Sequence, residues 1–205
     1  METTMYKHTL RPAMVLLLSM TLLLGVAYPA LVTGIAKLAF PDAAAGSLVF
    51  RDGKLVGSRL IGQSFTERRY FWGRPSATSP QPYNPLASTG SNLGPLNPAL
   101  IDQVKSNAAA LREADPGHRT QVPVELVTAS ASGLDPEISP AAAAWQAPRV
   151  AQARGLPLAD VQALVARQVQ GPQLGLYGEA RVNVLALNLA LDTLAPGSPP
   201  LDAGR

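Results

Sequence analysis

The 205-residue sequence predicts an α+β chain: one N-terminal transmembrane helix, then a single extracytoplasmic domain with a β-hairpin and several helices. Three observations carry this expectation. Arg11 and Lys37 enclose the charge-free run PAMVLLLSMTLLLGVAYPALVTGIA, and a helix of roughly 20 apolar residues is enough to cross a bilayer. Apolar residues lie on both sides of Asp52-Gly53 in GSLVFRDGKLVGSRLIG, a dipeptide that accepts the positive φ angles of a tight hairpin turn. Helical spacing dominates after Pro98, so strands precede helices, as in α+β domains.

The N-terminal run divides the chain into residues 1–11, a span at 12–38 and a domain at 39–205. Lys7, His8 and Arg11 precede the span and Lys37 closely follows it, which by the positive-inside rule leaves the short N-terminus cytoplasmic and the domain outside. Gly25-Val26-Ala27 resembles a small-residue cleavage site. The apolar run continues to Ala36, however, so an uncleaved anchor is expected and a cleaved signal peptide is the alternative. Pro29 inside the span is expected to kink the helix or to mark its outer turn. Gly25, Ala27, Ala30 and Gly34 are small enough for close approach of partner helices.

The hairpin around Asp52-Gly53 is followed by YFWGRPSAT, three consecutive aromatics in an aromatic-poor chain, and then by Pro75, Pro80, Pro82, Pro85, Pro95 and Pro98. Helices and interior strands do not accommodate that proline density, so a long functional or self-packed loop is expected. Packing is the dominant expectation for Tyr70, Phe71 and Trp72. Asn97 is placed to cap a helix with Pro98 in its first turn and Leu100, Ile101, Val104, Ala108 and Leu111 on one face. DPGH ends that helix. Val122–Thr128 is short and β-branched and predicts a strand leading into the loop ASASGLDPEIS. Ser139 caps a helix at Pro140, and Pro148 starts a second helical piece that ends at Gly155. A further helix runs from about Pro157 to Val169, with Leu158, Val161, Leu164 and Val165 on one face. VNVLALNLALDTL alternates like a strand, yet Asn183 can cap a helix, and helix is the expectation. The Pro-rich tail after Leu194 is expected to be loosely ordered.

Composition excludes several chemistries. With no cysteine there is no disulfide framework, thiolate metal site or cysteine nucleophile. Residues 1–39 hold Lys7, Arg11 and Lys37 against Glu2, so most of the net charge of +3 lies there and the domain is nearly neutral. The only basic-aromatic cluster is Arg68, Arg69 and Arg74 around the three aromatics, which does not predict nucleic-acid binding. Outside the N-terminus His118 is the only histidine, and it is expected as a solvated turn residue. Ser130 and Ser132 are expected to satisfy backbone groups rather than to act as nucleophiles, since no GxSxG elbow is present. Glu125, Asp135 and Glu137 are close in sequence as a glycosidase pair would be, but Asp135-Pro136-Glu137 reads most simply as a turn. No catalytic residue and no metal site is assigned. Gly90-Ser91-Asn92-Leu93-Gly94 lacks the Lys-Ser/Thr of a phosphate-binding loop.

What remains is a tethered domain with two irregular loops suited to contact with another protein. Its apolar span, YFWGRPSA, STGSNLGPLNP, VPVELVTASASGLDPEISPAAAAWQAPRVAQARGL and EARVNVLALNLALD occur in that order, and they closely resemble the C subunit of the bacterial Kdp-type potassium-transporting P-type ATPase. The resemblance implies a non-catalytic subunit of an inner-membrane complex that imports potassium. Its implied partners are an A subunit, channel-like and potassium-selective, a B subunit that hydrolyses ATP through an aspartyl-phosphate, and a very small F subunit. It further implies a catalytic chaperone that raises the ATP affinity of the B subunit, with the main domain periplasmic. No cofactor is expected to be held firmly; any ATP would act through the catalytic partner. If nucleotide does touch this chain, the resemblance points to Ser130, Ser132, Gly133 and Gln146. Partner contacts are expected at Tyr70, Phe71, Trp72, Arg74, Asn92 and Asn97. The alternatives are a membrane-tethered extracytoplasmic hydrolase using His118 or the Glu125/Asp135 pair, and a free-standing binding protein.

Overall fold

The computed structural model describes residues 2–194; the Pro-rich tail lies outside the described residues. The chain divides into two compact units, Met1–Ser47 and Leu48–Arg205. The first contains helix α1 (Glu2–Leu22), a π turn (Leu23–Ala27), α2 (Tyr28–Ala39) and the short α3 (Pro41–Ala44). The helical stretch His8–Ala39 carries Arg11 and Lys37 near its ends, and its most apolar part, with a mean hydropathy of 2.2, has no buried residues. This is the composition and length of a membrane span. The π turn carries the effect of Pro29: the Tyr28 N–H donates to the carbonyl of Leu23, five residues back. That widening admits a ring that would otherwise meet the carbonyl of Gly25.

In the second unit β1 (Leu48–Arg51) and β2 (Lys54–Ser58) form the expected antiparallel hairpin, with a register shift between Val49 and Phe50. Asp52 (φ 51°) and Gly53 (φ 75°) both take positive φ, which a type I′ turn requires. Residues 59–97 contain no helix or strand. Helix α4 (Pro98–Ala114) starts where expected, with the Asn97 side chain accepting from the Ala99 N–H. Only its C-terminal part is seated: Leu111 and Ala114 are buried, Val104 and Ala108 pack partly on the core, and Ile101 stays 44% exposed.

Two expectations need correction. Val122–Thr128 is not a strand, since its central residues Val124–Leu126 form a 3₁₀ turn. The strand that does form is β3 (Glu137–Ile138), paired antiparallel with β4 (Val182–Asn183). Pro148 does not begin a new helical piece either. Helix α5 runs unbroken from Pro140 to Arg154, with Ser139 capping the Ala142 N–H and Gly155 ending it at φ 64°. Its buried residues Ala143, Ala147, Val150 and Ala151 lie on both sides of the proline, and this burial offsets the roughly 3 kcal/mol that an interior proline costs.

Helix α6 (Leu158–Gln168) buries Val161, Leu164 and Val165, although Leu158 remains 40% exposed. Helix α7 (Val184–Leu194) confirms the helical reading of the last apolar segment, and the Asn183 side chain accepts from the Ala186 N–H. Phe71, Ile138, Val150, Val161, Leu187 and Leu191 are among the most enclosed side chains of the resulting core.

Candidate functional site

The aromatic segment is held as if it were a strand, but by side chains. The Phe71 N–H donates to Asn188 Oδ1 and the Asn188 amide donates back to the Phe71 carbonyl, both at 2.9 Å. Gln146 repeats the arrangement one residue on, accepting from the Trp72 N–H at 2.8 Å and donating to its carbonyl at 3.0 Å. Two amides, one from α7 and one from α5, thus satisfy four backbone groups that burial would otherwise strand at about 1–3 kcal/mol each. The carbonyls before them go to arginines: Arg149 donates to Arg68 and Tyr70, and Arg154 donates to Arg69. Burial holds the Arg149 guanidinium at a pKa of about 10, and its plane lies 4.5 Å over Trp72.

Beneath this segment Asp192 is enclosed with Arg154, their side chains each 1% exposed and 2.7 Å apart. Asp192 also accepts from Arg51 of β1 at 2.8 Å and from the Tyr70 hydroxyl at 3.3 Å. Burial and the neighbouring Asp192 charge raise the Tyr70 pKa. The carboxylate therefore ties the first hairpin, the aromatic segment, α5 and α7 together.

The proline-rich loop and the loop at residues 129–135 are stitched to each other. Ser76 Oγ donates to the Gly133 carbonyl at 2.6 Å, the Ser130 N–H donates to the Pro75 carbonyl at 3.3 Å, and the Ser132 carbonyl accepts from the Thr89 N–H and the Ser88 hydroxyl, both at 3.0 Å. Arg74 meets Asp135 at 3.1 Å. The Tyr83 hydroxyl donates to the Arg74 carbonyl, and burial, reinforced by Asp135, pushes its pKa up to about 12. Gly133 (φ 67°) sits at a tight crossing: a Cβ there would stand 2.6 Å from Thr78 Cγ2 and 2.7 Å from the Thr89 carbonyl. Beside the loops Phe65, Trp72, Arg74, Tyr83 and Asn107 line a shallow groove of ≈ 210 Å³.

The sequence-predicted residues fall into distinct settings. Tyr70 and Phe71 are 1% and 0% exposed, so any surface this segment presents comes from the half-buried Trp72 and Arg74. Asn92 (φ 52°) and Asn97 are exposed. Ser130 is buried and its hydroxyl accepts from the Gly133 N–H, whereas Ser132 is exposed and its hydroxyl accepts from the Leu134 N–H. Both serines satisfy backbone groups, as expected. Gln146 is fully enclosed, with its amide committed to Trp72 and Arg149. It thus belongs to a different bonding network from the Ser130–Gly133 loop.

His118 is not a solvated turn residue: its side chain is 15% exposed, lies 3.4 Å from Asp115 and stacks on Trp145 with ring centroids 4.6 Å apart. Packing against α5 accounts for that burial. Glu125 accepts from the Ser139 N–H and hydroxyl, Asp135 accepts from the Glu137 N–H and pairs with Arg74, and Glu137 pairs with Arg181. Each of the three carboxylates is therefore engaged as a structural partner. Sequence reasoning missed Asn188, Asp192, Arg149 and Arg154 as organisers of the aromatic segment. The available signal was Asn188 and Asp192 one helical turn apart within an otherwise apolar run.

An exposed apolar helix of spanning length and a mixed helix–strand unit built around two interlocked loops define a class: a folded domain that follows one candidate membrane helix. Among the described residues no group of three or more His, Cys, Asp or Glu side chains is placed to hold a metal. The chain belongs to the KdpC family, since the model described as "K+-transporting ATPase, c chain" matches residues 10–193. It is 66% identical over 194 residues to the potassium-transporting ATPase KdpC subunit of Polaromonas naphthalenivorans, covering 95% of this chain and 99% of that protein. The subunit of the same name from Variovorax paradoxus is 64% identical over 188 residues, 92% of this chain and 97% of that one. The subunit from Dechloromonas aromatica is 59% identical over 189 residues, 92% of this chain and 99% of its own length.

Proposed function

We propose that this chain is an accessory, non-catalytic subunit of a potassium-transporting P-type ATPase in the bacterial inner membrane. The observation that carries this reading is identity at about two residues in three, over nearly full length, to proteins named as KdpC subunits. The N-terminus lies in the cytoplasm, residues 12–38 cross the bilayer, and residues 39–205 form a periplasmic domain on the entrance side of the potassium pathway. The chain assembles with a channel-like A subunit, an ATP-hydrolysing B subunit and a small F subunit. Potassium is the cargo of the complex. Trp72, Arg74, Asn92 and Asn97 are the contact residues, and Tyr70 and Phe71 support them from beneath.

The chain raises the ATP affinity of the hydrolysing subunit by biasing its conformational states. Linkage allows one chain to change another's affinity without touching the ligand. The enclosure of Gln146 supports this indirect route over a nucleotide held by Ser130, Ser132, Gly133 and Gln146. Purification of the tagged full-length chain in mild detergent from potassium-limited cells tests both levels. The expected result is stoichiometric recovery of a P-type ATPase chain and a channel-like chain, with potassium-stimulated ATP hydrolysis and a lower apparent KM for ATP than the complex lacking this chain. Recovery of this chain alone, with intact partners demonstrably expressed, overturns the subunit reading. An unchanged KM overturns only the affinity effect, and saturable ATP binding to the purified chain overturns the indirect route.

A further inference from the structure

The outward face of the first hairpin is apolar, whereas an antiparallel hairpin packed on a core through one face normally turns polar residues to water. Phe50 and Leu55 are cross-strand partners and remain 61% and 55% exposed; Leu48, two residues before Phe50, is 45% exposed. The other face is occupied. Arg51 reaches Asp192 there, and Gly57 lies against the side chains of Gln63 and Leu185. Exposed Lys54 at the turn and exposed Arg59 just beyond β2 bracket the apolar residues. Between Ser47 and Gln63 the only acidic residue is Asp52, which sits 4.0 Å from Arg51.

Two further constraints bear on what covers this face. Only residues 40–47 separate the end of α2 from Leu48, and four of them are helical, so the connector reaches less than roughly 30 Å. An apolar patch with basic ends also matches the chemistry of an interface between acyl chains and anionic phosphates.

We propose that the Leu48, Phe50 and Leu55 face of the hairpin seats on the phospholipid surface at the headgroup–acyl boundary, with Lys54 and Arg59 meeting lipid phosphates. The proposal rests on the reading of His8–Ala39 as a membrane span. The hairpin then acts as a second, peripheral contact with the bilayer. Because Arg51 of the same hairpin binds Asp192, this contact orients the domain core rather than a loose appendage.

The chain contains no cysteine, so Phe50→Cys, Leu55→Cys, Leu96→Cys and Leu31→Cys each give a single labelling site. The full-length protein carrying a bimane label is reconstituted into phosphatidylcholine/phosphatidylglycerol vesicles containing lipids with a shallow nitroxide. Severalfold stronger quenching at Phe50→Cys and Leu55→Cys than at Leu96→Cys, whose native side chain is 90% exposed, is expected. Replacing Lys54 or Arg59 by Glu should weaken the hairpin's partition onto these vesicles by about fivefold or more per residue, and should do so less in pure phosphatidylcholine. Strong quenching at Leu31→Cys with none above the Leu96→Cys level at the hairpin overturns the proposal and leaves the span standing. No quenching at Leu31→Cys overturns both. Shielding of the hairpin labels only when copurified ATPase chains share the vesicle identifies a protein occupant and also overturns the lipid contact.

Discussion

Tyr83 shows how one side chain can record the closure of the loops. Its hydroxyl is spent on the Arg74 carbonyl, and its pKa is about 12 against an ordinary 10.0. The folded protein therefore holds this proton more tightly than the unfolded chain. Its contribution to stability is complete below pH 10 and is lost as the pH rises through about 12. Arg149 works in the opposite sense: burial lowers its pKa to about 10, so the penalty of burying its cation is full below pH 10 and is relieved above it. Comparing the parent chain with Tyr83→Phe cancels the arginine. Thermal unfolding in detergent should show a steeper loss of stability between about pH 10 and 12 in the parent than in Tyr83→Phe. At neutral pH the variant should be about 1 kcal/mol less stable through the lost hydrogen bond. Parallel alkaline limbs for the two proteins would refute the role assigned to Tyr83.

Among elements, the loop pair at residues 74–90 and 129–135 depends on close backbone approach. Gly133 and Gly155 separate conformation from contact, since both have positive φ but only Gly133 has neighbours where a Cβ would go. Gly155→Ala should cost about 1 kcal/mol, the usual strain of a left-handed alanine. Gly133→Ala should cost at least about 2 kcal/mol more, because the Thr89 carbonyl is backbone and cannot swing aside. Denaturant titration of the two variants checks the difference, and equal losses would show that the loops yield freely. Elements encoded by short-range chemistry were legible in the sequence: the Asp52-Gly53 turn, the Asn97 and Ser139 caps, the Gly155 stop and the Asn183 cap each act within a few residues. Elements that depend on remote partners were not. Val122–Thr128 has strand-like side chains but makes no ladder, whereas Glu137–Ile138 becomes a strand because Val182–Asn183 lies beside it. The same limit hid the site: the aromatic stretch was recognisable as core, but the residues that hold its backbone, Gln146 and Asn188, lie more than seventy positions away.

For the whole molecule, the division at Ser47/Leu48 implies that the two units are stabilised separately. A chain lacking residues 1–38 should be recovered from the aqueous fraction and unfold cooperatively, with a denaturant midpoint close to that of the detergent-solubilised parent. Failure to fold would mean that the span is a structural part of the domain. Within the span, the π turn at Leu23–Ala27 has a geometric consequence of its own. One residue of an α-helix advances the chain by about 100° around the axis, so the extra residue of a π turn leaves the stripes on its two sides out of phase. Gly25, Ala27, Ala30 and Gly34 therefore cannot be projected onto one ideal helical wheel. The span is better pictured as two rulers laid end to end with an angular offset, each with its own grip on neighbouring helices. Deleting one residue within Leu23–Ala27 brings the two scales back into step.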